Sequence, residues 1–331
     1  MRVGVIGTGK IGAFHAQGLA QMKEVDELSI ADLDQRRAAD VAQRLGAQLV
    51  DTPEQLMQSG VDAVVIAAAT PAHAPLLHMA LEAGVPAFCE KPIALDLPAT
   101  DAVIEHVTRS GVLVQIGFQR RFDDGYRAAR EAVRSGALGR VQIVRVATHD
   151  PQPPSLDYVA GSGGIWLDQT IHDFDIAPWV VGAPVLNVYG EGQANLPGFA
   201  ERQDVDAACA ILRFEGGALG ILSGSRVDPR GYDVRMEIFG TRDSIAVGLD
   251  GRTPLRSVEP DAAEPGAKPY QNFIERFEGA YRAELRAFVE AVENGSPSLC
   301  TVQDARSALV VALAADRSRR EHRSVQIAEI G

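Results

Sequence analysis

Residues 3–12 read Val3-Gly4-Val5-Ile6-Gly7-Thr8-Gly9-Lys10-Ile11-Gly12, an apolar strand running into spaced glycines and then into a helical pattern. Each glycine of the turn has a task. Gly7 permits the tight turn, Gly9 lets backbone amides approach a pyrophosphate, and Gly12 lets the helix pack closely on the strand, with the helix N-terminus facing the diphosphate charge. Asp32 follows 20 residues beyond Gly12, at the end of a second strand over 28–31, where a carboxylate accepts hydrogen bonds from ribose hydroxyls. Glycines alone are a weak signal; strand, glycines and acid together predict a dinucleotide site. A carboxylate at Asp32 repels a 2′-phosphate and Leu33 offers no positive charge, so NAD is expected over NADP. Arg36 and Arg37, at the start of the next helix, are expected to be solvated.

The same alternation continues outward from this stretch. Helical patterns at 35–45, 71–83 and 99–109 separate strand-like runs at 63–68, 86–89 and 112–116. Strands alternating with helices make a doubly wound parallel sheet, and the nearly all-apolar run at 63–68 suits a strand covered on both faces. About six strands of a Rossmann-type α/β domain are expected over residues 1–121. After Gln119-Arg120-Arg121 the texture changes. A helix at 125–135 leads to a strand at 141–148, and from Val185 onward strand-like runs at 207–214, 218–225, 234–239 and 244–247 follow with only short turns. Strands without intervening helices predict an open, mostly antiparallel sheet, so residues 122–331 read as a second, α+β domain. The Pro, Asp, Glu and Gly-rich stretch at 258–269 reads as an exposed loop. Helices at 273–293 and 303–319 close the chain, the last expected to pack back on the first domain.

Composition agrees with two soluble domains. At about 150 residues per domain, 331 residues make two, and 46% apolar with 23% charged residues is ordinary globular composition. Lys and Arg number 32 against 44 Asp and Glu, a net charge of −12. That sign disfavours nucleic acid and anionic membranes as partners. The longest apolar runs, 63–69 and 308–315, fall short of the roughly 20 residues of a membrane span. Gly4, Gly7 and Lys10 interrupt any secretory apolar core, so a cytoplasmic location is expected. Cys89, Cys209 and Cys300 are isolated in sequence and each reads as a small buried hydrophobe; no metal is expected.

Two further stretches carry chemistry. Glu90-Lys91-Pro92 directly follows the strand at 86–89, on the carboxyl edge where open α/β sheets hold ligands. A lysine there is close to the nicotinamide end, a surface lysine before a loop proline being the alternative, and His73, just after the 63–68 strand, is a candidate to line the cofactor groove. In the second domain, residues 163–175 read Gly-Gly-Ile-Trp-Leu-Asp-Gln-Thr-Ile-His-Asp-Phe-Asp. If 167–180 is one helix, Asp168, His172 and Asp175 share a face. A carboxylate beside a histidine fixes its tautomer and stabilises the imidazolium, as a general base requires; a helix with a plain ion pair is the alternative. His15, His73, His78, His106 and His322 read mostly as polar or packing positions.

Taken together, these motifs resemble the Gfo/Idh/MocA oxidoreductases over nearly the whole chain, and within them the inositol 2-dehydrogenases. The resemblance rests on Gly7 to Gly12, on Glu90-Lys91-Pro92, and on Gly163-Gly164 leading to Asp168 and His172. Gly117-Phe118-Gln119-Arg120-Arg121-Phe122-Asp123 and Ile171-His172-Asp173-Phe174-Asp175 support the narrower likeness. It implies hydride transfer between NAD and a ring polyol or sugar. Lys91 then anchors the reacting hydroxyl, His172 is the general acid/base, and Asp168 contacts substrate or orients the base, with Asp175 the other candidate for that. The implied cofactor contacts are Gly7, Thr8, Gly9, Lys10, Ile11, Gly12, Asp32, Leu33, Thr70, His73, Glu90, Lys91, Gln119 and Arg120. Substrate is implied to meet Lys91, Arg120, Asp150, Asp168, His172 and Tyr232. Gln119 departs from the apolar residue common in the inositol enzymes, and His149-Asp150 matches their motif only in part. Homodimers or homotetramers through the second domain's sheet are also implied. The competing readings are another sugar dehydrogenase or reductase, an NAD-dependent glycosidase, and a sensor that binds dinucleotide without chemistry.

Overall fold

A computed structural model describes residues 1–262 and 266–331. Of the expected loop at 258–269, residues 263–265 therefore lie outside the described residues. The chain divides into two units, one made of Met1–Gln119 with Gly279–Arg306 and the other of Arg120–Glu278 with Ser307–Gly331. The contiguous split at 121/122 is thus interrupted by a segment that returns to the first unit.

The first unit alternates throughout: β1 (Arg2–Ile6), α1 (Lys10–Leu19), β2 (Glu27–Ala31), α2 (Gln35–Leu45), β3 (Gln48–Leu49), α3 (Pro53–Gln58), β4 (Ala63–Ile66), α4 (His73–Glu82), β5 (Ala87–Glu90), α5 (Leu97–Ser110) and β6 (Val114–Gly117). The strands form one sheet in the order β3-β2-β1-β4-β5-β6, every pair parallel. The order reverses between β1 and β4, the kind of switch point where open sheets leave a crevice beyond the strand carboxyl ends. Local sequence sets the helix limits. In α5 the Asp96 carboxylate accepts from the Ala99 N–H at 2.8 Å, Pro98 sits in the first turn, and Gly111 ends the helix in the left-handed region. Val3, Val5, Ile30, Val65 and Phe88 form the centre of a core that Leu285, Phe288 and Val289 complete from residues 279–306.

In the second unit, α6 (Asp124–Arg134), β7 (Val141–His149), α7 (Leu156–Ser162), α8 (Gly164–Asp168) and α9 (Ile171–Val181) precede β8 (Val185–Gln193), β9 (Ala207–Phe214), β10 (Leu219–Ser225), β11 (Asp233–Gly240) and β12 (Ser244–Val247). The long α10 (Phe273–Asn294) and α11 (Val302–Glu321) follow, each crossing the division between units, and β13 (Val325–Gln326) ends the sheet. The seven strands run β12-β11-β7-β10-β9-β8-β13. All pairs are antiparallel except β7 with β10. Alternation along β9 and β10 buries Ala210, Leu212, Gly220 and Leu222 and exposes Ile211, Leu219 and Ile221. Cys209 belongs to that outward set. The expectation that it is buried is corrected by the two-residue period of the strand, whereas Cys89 and Cys300 are buried. Among the described residues no helix is long and apolar enough to cross a membrane.

Candidate active site

The glycine turn lies at the switch point of the first sheet. Gly7 has φ +94°, and a Cβ there would stand 2.6 Å from the Ala67 carbonyl oxygen in the loop after β4. A Cβ on Gly12 would stand 2.0 Å from the Gly7 carbonyl oxygen. Both glycines are demanded by the protein's own packing. Gly9 is different, because a Cβ there meets nothing within 4 Å. It caps α1 with no side-chain hydrogen bond, and no acidic residue occupies the first turn. The bare helix N-terminus and open space over Gly9 are what a diphosphate requires, so the residues present fit NAD. Lys10 is exposed and Ile11 half-buried on the same turn.

Asp32 ends β2 as expected, and its surroundings are more organised than sequence suggested. Its Oδ2 accepts from the Thr8 N–H at 2.5 Å and the Thr8 hydroxyl at 2.8 Å, and its Oδ1 accepts from the Asp34 N–H at 2.8 Å. Arg37 Nη2 donates to both oxygens at 2.9 and 3.1 Å. Arg37 is therefore not simply solvated; one helical turn brings it over the carboxylate. Burial alone would raise the Asp32 pKa, but the bonds from Thr8, Asp34 and Arg37 hold it below the usual carboxylate range. Leu33 beside it is 97% exposed, an apolar surface without protein cover.

Around Lys91 the expected ligand contacts turn out to support one another. Lys91 and Thr70 are half-buried. His73 is buried with Nδ1 2.7 Å from the Pro92 carbonyl and Nε2 3.0 Å from the Ala68 carbonyl, so it ties the Lys91-Pro92 turn to the loop after β4. Burial lowers its pKa despite those carbonyls. Lys91-Pro92 is a cis peptide bond. Glu90 points inward, with Oε1 2.7 Å from Nε2 of fully buried His15. His15 is thus a buried partner of the motif glutamate rather than a bland helical position.

In the second unit, the single helix expected over 167–180 is two. Gln169 and Thr170 separate α8 from α9, and both side chains are engaged: Gln169 Nε2 donates to Asp150 Oδ2 at 2.6 Å and to the Ser225 carbonyl at 2.8 Å, both remote in sequence, and the Thr170 hydroxyl donates to the Ile165 and Trp166 carbonyls, each at 3.3 Å. Asp168 ends α8 and half-buried His172 lies in the first turn of α9. Asp168 Oδ1 accepts from the Tyr158 hydroxyl at 2.8 Å and Oδ2 from Arg226 Nη1 at 2.9 Å. The same Nη1 stands 3.6 Å from Asp150 Oδ2. Burial opposes the Arg226 charge, but Asp168 and Asp150 raise its pKa above the ordinary value. Burial pushes the Asp150 pKa up, against the pull of Arg226. Tyr158 and Arg226 were not flagged by sequence, since nothing local ties Arg226 to an acid 58 residues earlier.

Arg120, expected among the ligand contacts, has protein partners of its own. It is 1% exposed, its Nη1 donates to Asp173, and its Nη2 donates to the Thr148 hydroxyl at 3.0 Å. The cation is spent on a buried carboxylate, so it organises the interior of its unit. Tyr232 is buried nearby, and burial raises its pKa. Arg121 binds Asp175 through Nε at 2.9 Å and Nη2 at 2.6 Å. Gln119 is buried in the first unit, its Oε1 without a hydrogen-bond partner among the described residues. His149, Asp228 and Asp233 bring donor atoms within 4.8 Å of one another, but Arg235 already grips Asp233 at 2.7 and 3.1 Å.

Comparison with known proteins agrees with this geometry. Residues 1–118 match the model of the oxidoreductase family with an NAD-binding Rossmann fold, and residues 126–246 match the GFO/IDH/MocA C-terminal domain. The chain is 35% identical over 333 residues to myo-inositol 2-dehydrogenase of Thermotoga maritima, covering 100% of this chain and 99% of the relative. It is also 35% identical to the scyllo-inositol 2-dehydrogenase (NAD(+)) of Bacillus subtilis, over 99% of this chain and 96% of that one. The crystal structure of scyllo-inositol dehydrogenase from Lactobacillus casei, with bound NAD(H) and scyllo-inositol, superposes with a TM-score of 0.90 at 29% identity, covering 99% of both chains. By family models over both units and by likeness along its whole length, this chain belongs to the GFO/IDH/MocA oxidoreductases.

Proposed function

We propose that the chain oxidises one secondary alcohol of an inositol-like cyclic polyol to a ketone, with NAD as the hydride acceptor. The observation that carries this reading is the open cradle over Gly9, with Asp32 fixed at the end of β2, in a chain alike from end to end to inositol dehydrogenases. The bound nicotinamide supplies the hydride acceptor. Everything else falls to side chains. His172 takes the hydroxyl proton as hydride leaves the same carbon, and the Lys91 ammonium steadies the alkoxide character that develops on the oxygen. Asp168, fixed between Tyr158 and Arg226, sets a carboxyl group in the unit that carries His172. Asp150 and Tyr232 are proposed substrate contacts. His73, Glu90 and Arg120 support these groups through protein partners. The relatives' names favour net oxidation over glycosidic cleavage or sensing.

The test is purified protein with NAD and a panel of myo-inositol, scyllo-inositol, glucose and galactose at alkaline pH, followed by NADH absorbance. Turnover with a stereochemical preference among the inositols is expected. Lys91→Ala and His172→Ala each lower kcat by about 10²-fold or more while NAD affinity is retained. Absence of NADH with every polyol, or a variant with unchanged kcat, overturns the reading.

A further inference from the structure

Beneath the Lys91 turn, the first unit encloses a cluster of which the catalytic reading uses only the Glu90–His15 contact. His15 from α1, Glu90 from β5 and Glu284 from α10 place one nitrogen or oxygen each within 4.8 Å of the others, and all three residues are buried. His15 and Glu284 are each 0% exposed. The walls are aromatic: the His15 ring meets Phe88 and Tyr281 edge-on at 5.4 and 5.8 Å between centroids, and Phe88 leans on Phe288 at 6.0 Å. Glu90 has a donor in His15 Nε2. Glu284 has none. Among the described residues neither of its side-chain oxygens makes a hydrogen bond, and Gln115 Nε2, the polar neighbour from β6, spends itself on the Glu284 backbone carbonyl at 2.8 Å. Two carboxylates this close, buried among aromatic side chains, do not both keep a charge.

We propose that Glu284 is a positioning residue for Lys91: as a neutral carboxylic acid it does not repel the Glu90 carboxyl group, so that Glu90 stays on His15 and holds the next residue, Lys91, in place. Burial first and the Glu90 charge second push the Glu284 pKa well above the usual carboxylate range. The titratable groups facing the cluster are His15 from α1, Glu90 from β5 and Tyr281 from α10. The Glu90 charge is also felt by Cys89 on β5 and by His73 on α4. When rising pH removes the Glu284 proton, the new charge repels Glu90 and the Lys91 turn loses its anchor. The proposal rests on Lys91 acting at the substrate, and its test separates the two.

The test uses full-length protein and the isosteric Glu284→Gln, which keeps the shape and cannot ionise. The infrared band of a protonated carboxylic acid is expected in the wild type at neutral pH and absent in the variant. An acid whose folded pKa is raised binds its proton more tightly folded than unfolded, so its stabilising effect is complete at low pH and fades as pH rises above the unfolded value. Glu284→Gln is therefore expected to raise Tm by a few degrees more at pH 8 than at pH 5. It should keep kcat within about threefold at neutral pH, an effect well below that of losing a catalytic group, and move the alkaline fall of kcat upward in pH. A missing acid band in the wild type, or an alkaline fall unmoved by the variant, overturns the proposal. If Lys91→Ala retains full turnover, the catalytic reading fails, while the infrared and melting comparisons still judge the state of Glu284.

Discussion

Two glycines of one turn separate structural demand from ligand demand. Alanine at Gly12 drives a methyl into the Gly7 carbonyl at 2.0 Å, and overpacking of this kind costs roughly 1–3 kcal/mol. Gly12→Ala is expected to lower the urea midpoint. Gly9→Ala meets empty space, so its urea midpoint should match the wild type while NAD affinity, measured by titration calorimetry, falls. Equal loss of stability in both would remove the argument that Gly9 is kept for a ligand. Asp32 carries a similar division. Arg37 lies 2.9 Å from its carboxylate, so Asp32→Ser both removes the charge that repels a 2′-phosphate and releases a guanidinium to meet it. The ratio of kcat/KM for NADP to that for NAD should rise about tenfold or more, the worth of one charge-assisted bond. An unchanged ratio would mean that Arg37 does not reach the phosphate. The positions of Gly7, Gly12 and Asp32 were legible in sequence because their spacing reflects backbone geometry within one βαβ unit. The partners Thr8 and Arg37 were not, since side-chain direction around Asp32 is decided only once β2 and α2 are built.

At the scale of elements, periodicity read the long segments well and the interruptions poorly. Fully apolar β4 and the alternating β9 and β10 announced a parallel and an antiparallel sheet, because burial on two faces or one imposes those patterns. Two-residue β3 and six-residue α3 are too short to display a period. The break at Gln169–Thr170 was hidden for another reason: its causes, Asp150 and the Ser225 carbonyl, are remote in sequence. Arg226 follows β10 and shows what such remote partners do. It is 3% exposed and lies between Asp168 and Asp150. Arg226→Met leaves two half-buried carboxylates without their cation, a loss of about 1–3 kcal/mol in stability, read as a lowered denaturant midpoint. Arg226→Lys restores the charge but not the guanidinium geometry, and should recover part of the midpoint. Full stability of the methionine variant would show that the pair contributes nothing.

Across the whole molecule, the outward face of the second sheet remains unexplained by anything within one chain. Register places Tyr189 beside Ile211 and Ile211 beside Ile221, and Leu219 beside Ile143. These five side chains are between 36% and 55% exposed. Contiguous apolar patches on monomers are usually small, and larger ones mark association surfaces. The face is continuous across four strands, with the Arg145–Glu237 pair at 2.9 Å continuing the Ile221 row. A net charge of −12 opposes self-association in dilute salt, so the apolar area must outweigh repulsion that salt screens. A homodimer or homotetramer through this face is the reading we propose. Light scattering should give a mass above that of one chain, with dissociation favoured at low ionic strength. Ile221→Glu puts a charge at the centre of the row on a strand whose other face stays packed, and should yield monomers that bind NAD as the wild type does. A wild type that scatters as a single chain at every salt concentration would leave this face without a partner and the proposal without support.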